Sequence, residues 1–241
     1  TVRQAQQSIE GPSQGIAGVV RVGTVNSVGM FLLPDVLRAM RDKYPAVRPT
    51  ILYRNSHEVL EALAANQVDA AVVANPPADR RLDSETILEE AISLVCSRSH
   101  PLCEAETVRP SDLGGASFVS LTPESPTGEL IRNYLTRMGV NVRPVVSTDN
   151  VETVRKMVEV GLGVALLPDM VTKDDIGCLG EPKGELCRID IGPNLTRRIA
   201  LLTWKQIKPS PAVNAFLEEL RAHGRRWKGC TDYQAERERL G

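Results

Sequence analysis

The amino-acid sequence predicts an α/β fold made of two similar lobes joined by a two-strand hinge. Short β-branched runs alternate with segments whose apolar residues recur at helical spacing, as in β-α-β units with parallel strands. This alternation occurs twice, beginning at Val19 and again at Phe118. The 241 residues suffice for two lobes of roughly 100 residues each.

The first lobe opens with a predicted buried strand over residues 19–25, a β-branched run that follows Gly18. A helix over residues 30–44 follows, because its apolar residues fall at helical spacing and Pro34 lies in the first turn, where proline is tolerated. The same pattern then predicts strand 50–54, helix 59–65 and strand 70–73. In such a parallel sheet, ligands bind at the carboxyl ends of the strands.

The second lobe follows two predicted strands, 85–89 and 92–97. Its predicted elements are strand 118–121, helix 130–138, strand 142–146, a helix with Val151, Val154 and Val158 facing inward, and strand 164–167. The closing elements are strand 186–189, strand 199–204 and a helix from about Pro211. The last two of these are assigned back to the first lobe.

These assignments place residues 18–90 and 196–224 in lobe I and residues 91–195 in lobe II. The chain then crosses between the lobes twice, so opening and closing motion about a two-strand hinge is expected. Residues 225–241 are charge-rich and nearly free of apolar periodicity, which predicts a charged C-terminal tail.

The composition excludes several functional classes. The 29 basic and 30 acidic residues leave a net charge of -1, which gives no sequence-wide attraction for nucleic acid or anionic lipid. The longest apolar runs are far shorter than the ~20 residues that a membrane span needs, and the N-terminus lacks the apolar core of a signal peptide. A cytoplasmic protein without membrane contact is therefore expected. Because Thr1 is not an initiator methionine, a fragment or processed product is also expected.

Neither a metal site nor a catalytic motif is predicted. The sequence has no G-x-S-x-G elbow, P-loop, H-E-x-x-H motif or dinucleotide fingerprint, so no catalytic residue, metal or cofactor is expected. The odd number of cysteines and the lack of a C-x-x-C pair argue against both a zinc knuckle and a disulfide framework. Buried or idle thiols are expected at all five positions, Cys96, Cys103, Cys178, Cys187 and Cys230.

Three strand-to-helix turns carry hydroxyl or amide side chains beside the N–H groups of a helix start, which makes each a potential anion site. The first turn is the Thr-Val-Asn-Ser segment at residues 24–27. The second is Ser125-Pro126, in which serine suits the N-cap and proline the first helical position, with Thr122 just upstream.

The third turn covers residues 148–152, in which Asp149 and Glu152 have the spacing of a capping box. Taken singly, each turn is explained by helix capping. If the two lobes face each other, the first turn opposes the second and the third across one crevice, and ligands favour such crevices. The three turns together therefore predict a small-molecule site.

Six short motifs occur in a characteristic order between Gly18 and Arg221. The most specific is Val-Gly-Leu-Gly-Val-Ala-Leu-Leu-Pro at residues 160–168, in which glycines allow a tight turn before a buried strand. The other five are Arg21-Val22-Gly23, Leu32-Leu33-Pro34 with Tyr44-Pro45-Ala46-Val47, Val68-Asp69-Ala70-Ala71, His100-Pro101-Leu102 and Asp112-Leu113. In this order the motifs resemble the regulatory domain of LysR-type transcriptional regulators.

The resemblance implies two Rossmann-like lobes of the type 2 periplasmic-binding-protein kind that hold a small, carboxylate-bearing effector between them. Helix N-termini with hydroxyl groups suit such anions, whereas Glu124 would repel a strongly anionic ligand. The implied effector contacts are Thr24, Asn26, Ser27, Val28 and Ser56 in lobe I, and Thr122, Ser125, Thr148 and Asn150 in lobe II.

The resemblance also implies partners. Family members act as homodimers or homotetramers, and effector binding changes the arrangement of attached DNA-binding domains. Residues 1–17 are interpreted as the remnant of the family's linker helix, so DNA would be contacted only through a missing N-terminal winged helix-turn-helix domain. Where the family usually has glycine before the third strand, this chain has Asn66, which tolerates left-handed geometry.

Three alternatives remain open from the sequence. A free-standing solute-binding protein of the same fold would need a secretory signal before Thr1. A two-lobe enzyme would need a nucleophile with its base, or a cofactor lysine, in the crevice. Redox sensing as in the peroxide-sensing branch of the family would use a cysteine pair, but the segment in question corresponds to residues 122–127, which lack cysteine, and Cys178 and Cys187 lie elsewhere.

Overall fold

The computed structural model describes residues 15–105, 108–176, 184–189, 191 and 195–227. Most of the predicted linker remnant at residues 1–17 and of the predicted tail at residues 225–241 lies outside the described residues. The chain divides into two compact units. Of the described residues, unit 1 comprises those up to Val73, Ala78–Ile87 and Ala200–Arg226, and unit 2 comprises Ala74–Pro77, those of Leu88–Ile199, and Trp227.

The described helices and strands follow the predicted order with three exceptions. In chain order they are β1 (Gly18–Thr24), α1 (Asn26–Phe31), α2 (Leu33–Lys43), β2 (Val47–Tyr53), α3 (Ser56–Ala64), β3 (Ala70–Ala74), β4 (Leu82–Ser97), β5 (Phe118–Leu121), α4 (Pro126–Arg137), β6 (Pro144–Thr148), α5 (Val151–Glu159), β7 (Ala165–Pro168), α6 (Asp169–Ile176), β8 (Leu186–Ile189), β9 (Thr196–Trp204) and α7 (Pro211–Arg226). Two 3₁₀ turns, Pro101–Glu104 and Pro110–Leu113, precede β5.

Three elements differ from the predictions. The helix predicted over residues 30–44 is two helices, α1 and α2, because Pro34 has no N–H to continue the hydrogen-bond ladder across their junction. The two strands predicted at 85–89 and 92–97 are the single strand β4. Its central residue Glu90 does not lie in an exposed loop but is buried and paired with Arg197. Helix α6 was not predicted, because its apolar residues do not form a regular stripe.

In unit 1 the strands are hydrogen-bonded in the order β2-β1-β3-β9. The parallel register pairs Thr24 with Tyr53 on β2 and with Val72 on β3, so the carboxyl ends of these strands lie side by side. One cluster of the core packs α3 against the sheet through Val59, Leu63 and neighbouring apolar side chains. The turn before β3 contains Asn66 at φ 55°, the left-handed geometry that asparagine tolerates.

In unit 2, β4 pairs antiparallel with β7 and with β8, while β5 and β6 are parallel with Leu121 opposite Thr148. The inward stripe predicted for α5 is confirmed, since its three valines are buried. In α4 the apolar side chains Ile131, Tyr134 and Leu135 are buried, as helical spacing over residues 130–138 predicts, whereas Met138 just after the helix is 39% exposed.

Strands β4 and β9 are hydrogen-bonded neighbours that each run through both units. Strand β4 passes from unit 1 to unit 2 between Ile87 and Leu88, and β9 returns between Ile199 and Ala200. Among the described residues, no helix has both the length and the apolar character to cross a membrane.

The cysteine expectation is wrong at two positions. Cys103 and Cys187 form a disulfide although 84 residues separate them in sequence, a proximity that only the tertiary structure creates. Cys96 is a buried free thiol, as expected. Cys178 and Cys230 lie outside the described residues.

Candidate functional site

The polar residues predicted in lobe I all lie in unit 1 at the carboxyl ends of β1 and β2. Thr24 ends β1, and its fully buried hydroxyl donates to the carbonyl oxygen of Val72 at 3.0 Å, so it ties β1 to β3. Asn26 begins α1 half-buried, and Ser27 beside it is only 2% exposed. Ser56 begins α3 and is buried. The parallel register therefore brings these side chains to one edge of the sheet.

Capping in unit 1 differs from what hydroxyl-rich turns suggested. Helix α1 has Val25 at its N-cap and no side-chain cap, while Val28 is fully buried and belongs to the core. Helix α3 is capped by Asn55, whose side-chain oxygen accepts from the backbone N–H of Glu58 at 3.0 Å, while the Glu58 carboxylate accepts from the N–H of Asn55 at 3.2 Å. The sequence carries the signal for this box, an asparagine three residues before a glutamate.

Two residues that sequence reasoning omitted complete the unit 1 edge. The Tyr53 ring covers α1 where Gly29 leaves room for it, and its hydroxyl donates to the Gly29 carbonyl at 3.4 Å. Arg54 is exposed, and its backbone N–H donates to the carbonyl oxygen of Thr24 at 3.2 Å. The edge therefore combines a hydroxyl, an amide, an aromatic ring and a guanidinium group.

The second predicted turn lies at the start of α4 in unit 2 and is capped as predicted. The Ser125 hydroxyl accepts from the N–H of Gly128 at 3.0 Å and donates to the carbonyl oxygen of Thr122 at 2.9 Å. The N–H of Thr122 donates to the carbonyl oxygen of Thr148 at 2.9 Å. These bonds hold the turn after β5 against the turn after β6. Glu124 within the turn is exposed.

The third predicted turn has a different cap from the predicted one. Asn150, not Asp149, is the N-cap of α5, and its side-chain oxygen accepts from the N–H groups of Glu152 and Thr153 at 2.9 and 3.0 Å. The Asp149–Glu152 capping box is therefore wrong by one residue. The Thr148 hydroxyl accepts from the N–H of Asn150 at 3.3 Å. Thr148 and Asn150 thus lie together at the end of β6, beside Thr122 and Ser125.

Replacing Asn150 with alanine is expected to lower the free energy of unfolding by about 1 kcal/mol, because two N–H groups of α5 lose their acceptor. Asp149→Ala is the matched control one residue away, and a change within about 0.5 kcal/mol is expected for this exposed residue. Urea unfolding measures both. Equal losses in the two variants would contradict the assignment of Asn150 as the cap.

In unit 2 the start of α4 is contacted by a buried ion pair between Arg197 and Glu90. The Nε of Arg197 on β9 donates to Glu90 on β4 at 2.7 Å, and one of its terminal nitrogens lies 3.4 Å from the hydroxyl of Thr127. The second oxygen of Glu90 accepts from the N–H of Met170 in α6 at 2.6 Å. The pair therefore connects the strands β4 and β9 with the first turns of α4 and α6. Periodicity could not reveal it, since 107 residues separate the partners.

A known family model matches most of this chain. The model described as "LysR substrate binding domain" matches residues 13–225. The regulator CbbR of Cereibacter sphaeroides is 29% identical over 174 residues, which are 72% of this chain and 56% of CbbR. This chain thus spans little more than half the length of that relative.

Solved structures share the fold. The regulatory domain of Synechocystis PCC6803 CcmR in complex with 2-PG has a TM-score of 0.75 at 22% identity. The matched region covers 85% of this chain and 96% of the CcmR chain. The effector-binding domain of QuiR in complex with shikimate has a TM-score of 0.75 at 15% identity. The matched region covers 88% of this chain and 99% of the QuiR chain.

Proposed function

Because this chain belongs to the LysR substrate-binding domain family, we propose that it senses a small effector on behalf of a transcriptional regulator. The observation that carries the proposal is the concentration of hydroxyl and amide side chains at the carboxyl ends of parallel strands, the edge where α/β sheets bind ligands. Relatives with regulator names support the regulatory role. In this role the chain acts without catalysis, in the cytoplasm.

We propose a small, carboxylate-bearing effector. The N–H groups at the starts of α4 and α5 offer partial positive charge, and the exposed guanidinium of Arg54 adds a cation to the unit 1 edge. The proposed contacts are those predicted from the sequence, Thr24, Asn26, Ser27, Val28 and Ser56, with Thr122, Ser125, Thr148 and Asn150. Since the Val28 side chain is apolar, a hydrogen bond from this residue to the effector would be made by the backbone.

The regulatory output is part of the same proposal. Effector binding shifts the population of conformations in a homodimer or homotetramer and so changes the spacing of helix-turn-helix domains on DNA. DNA is contacted by those domains and not by this chain, whose net charge of -1 gives no general attraction for DNA.

A thermal-shift screen of small carboxylates tests the proposal. A true effector at about 100 times its dissociation constant is expected to add roughly 2.7 kcal/mol to the free energy of unfolding. Ser27→Ala in unit 1 and Thr148→Ala in unit 2 are each expected to weaken binding by up to roughly tenfold, because each removes one hydrogen bond worth about 0.5–1.5 kcal/mol.

Exposed hydroxyls away from both edges supply the controls. Ser84→Ala in unit 1 and Thr136→Ala in unit 2 are expected to leave the ligand-induced shift unchanged. Each shift is measured against the same variant without ligand, so that a stability change does not count as a binding change. If Ser27→Ala and Thr148→Ala both respond like the parent chain, the assigned contacts are wrong.

A further inference from the structure

The Cys103–Cys187 disulfide joins the 3₁₀ turn Pro101–Glu104 to strand β8 within unit 2. The Cα atoms are 5.6 Å apart, a separation that a disulfide bridges without backbone movement. Both cysteines are half-buried, so neither residue is enclosed in the core. Accessible disulfides are the ones that exchange with the surrounding thiol pool.

A third cysteine lies next to this pair but does not share its chemistry. The antiparallel register of β4 and β8 places Cys96 directly opposite Cys187. Cys96 is fully buried, and burial raises the pKa of its thiol to about 11. Since the thiolate is the nucleophile in disulfide exchange, Cys96 remains a protonated, unreactive thiol beside the disulfide.

The disulfide lies one residue from a buried charge network. Arg188, the residue after Cys187, lies 3.3 Å from Asp169, and its Nε donates to the hydroxyl of Ser93 at 2.9 Å. The Ser93 hydroxyl in turn donates to Asp169 at 3.2 Å. Asp169 is the first residue of α6 and is only 1% exposed. Strand β8 therefore carries a cation, Arg188, that pairs with the buried Asp169 carboxylate at the start of α6.

We propose that Cys103 and Cys187 are a reversible redox site that exchanges with low-molecular-weight thiols, and that its oxidation holds Arg188 on β8 against Asp169. With oxidised glutathione as the oxidant, one protein thiolate displaces one glutathione and forms a mixed disulfide. The second protein thiolate attacks that protein sulfur and releases the second glutathione. The protein pair loses two electrons and two protons, and two molecules of reduced glutathione are formed.

Equilibration of the chain in glutathione buffers of stepped reduced-to-oxidised ratio tests reversibility. Thiols are trapped by acid and alkylated, and the peptides are mapped by mass spectrometry. The linked Cys103–Cys187 peptide pair is expected to appear and disappear with the ratio from either direction, while Cys96 is alkylated only after unfolding. Cysteines that stay reduced at every ratio, a bridge that persists in fully reducing buffer, or a bridge from Cys187 to another cysteine would each overturn the proposal.

The oxidised chain is expected to melt about 5–15 °C above the reduced chain, because the bridge closes a long loop in the unfolded state. Cys103→Ser and Cys187→Ser are each expected to abolish this difference, whereas Cys96→Ala, which changes the neighbouring thiol, retains it. A difference that survives in Cys103→Ser contradicts the assignment of the pair.

Hydrogen exchange tests the link to Arg188. Amides at the start of α6 are expected to exchange more slowly in the oxidised than in the reduced parent chain. In the double variant Arg188→Met, Asp169→Asn, both charges are removed together, so no unpaired buried charge remains to unfold the chain. Oxidation is then expected to leave α6 exchange unchanged. If oxidation slows α6 exchange equally in the parent and in the double variant, Arg188 does not carry the effect.

Discussion

Replacing Arg197 with methionine is expected to lower the free energy of unfolding by about 3–5 kcal/mol. The side chains of Arg197 and Glu90 are 2% and 0% exposed, so the variant leaves a buried carboxylate without its cation. Breaking one side of such a pair costs more than the pair itself contributes, because the remaining charge has lost its water as well as its partner. Urea unfolding followed by circular dichroism measures the loss.

Two further variants separate this explanation from a general packing defect. The double variant Arg197→Met, Glu90→Gln removes both charges and is expected to recover much of the loss, which a double-mutant cycle expresses as a coupling free energy. Arg38→Met breaks the exposed pair with Asp35, where the side chains are 66% and 59% exposed, and is expected to cost less than about 1 kcal/mol. A single variant at Arg197 no worse than Arg38→Met would show that the pair contributes no more than a surface pair.

Gly128→Ala is expected to cost about 1–3 kcal/mol of unfolding free energy and to impair effector binding. A Cβ at this position would overlap the carbonyl oxygen of Thr122 and come within 2.8 Å of the Ser125 hydroxyl oxygen. That carbonyl is already held by the N–H of Ser125 at 3.1 Å and by its hydroxyl at 2.9 Å, so it cannot retreat without breaking the cap. The clash therefore outweighs the gain of about 1 kcal/mol in helix propensity that alanine brings.

The matched control is Gly15→Ala, because a Cβ there has no atom within 4 Å. Its free energy of unfolding is expected to stay within about 0.5 kcal/mol of the parent value. The ligand-induced thermal shift is then compared between the two variants at equal effector concentration. If Gly128→Ala is as stable as the parent chain and binds the effector equally well, the turn from Thr122 to Ser125 is not the rigid contact described above.

The fold was largely predictable because its signals are local. A strand with two covered faces reads as a β-branched run, and a helix with one covered face repeats its apolar residues every three to four positions, so β5 and β8 were predicted with their observed ends. The polar turns after β5 and β6 were visible for the same reason, since a helix start selects side chains that accept from its N–H groups. The turn after β1 is polar as well, but α1 has no side-chain cap. Cap assignment was less secure, because Asp149 and Asn150 both suit an N-cap and only backbone geometry distinguishes them.

The sequence by itself therefore determined most of the order of elements, most of their buried faces and the hydroxyl-rich turns of the proposed effector site. Only the tertiary structure decided that Arg197 neutralises Glu90, that Cys103 bonds to Cys187, and that Gly128 faces a carbonyl oxygen. The physical reason is that the apolar periodicity of a segment shows which of its faces is buried in the core and which is exposed to water. The partner of a buried charge or thiol depends instead on strand register and on chain segments that meet only after folding.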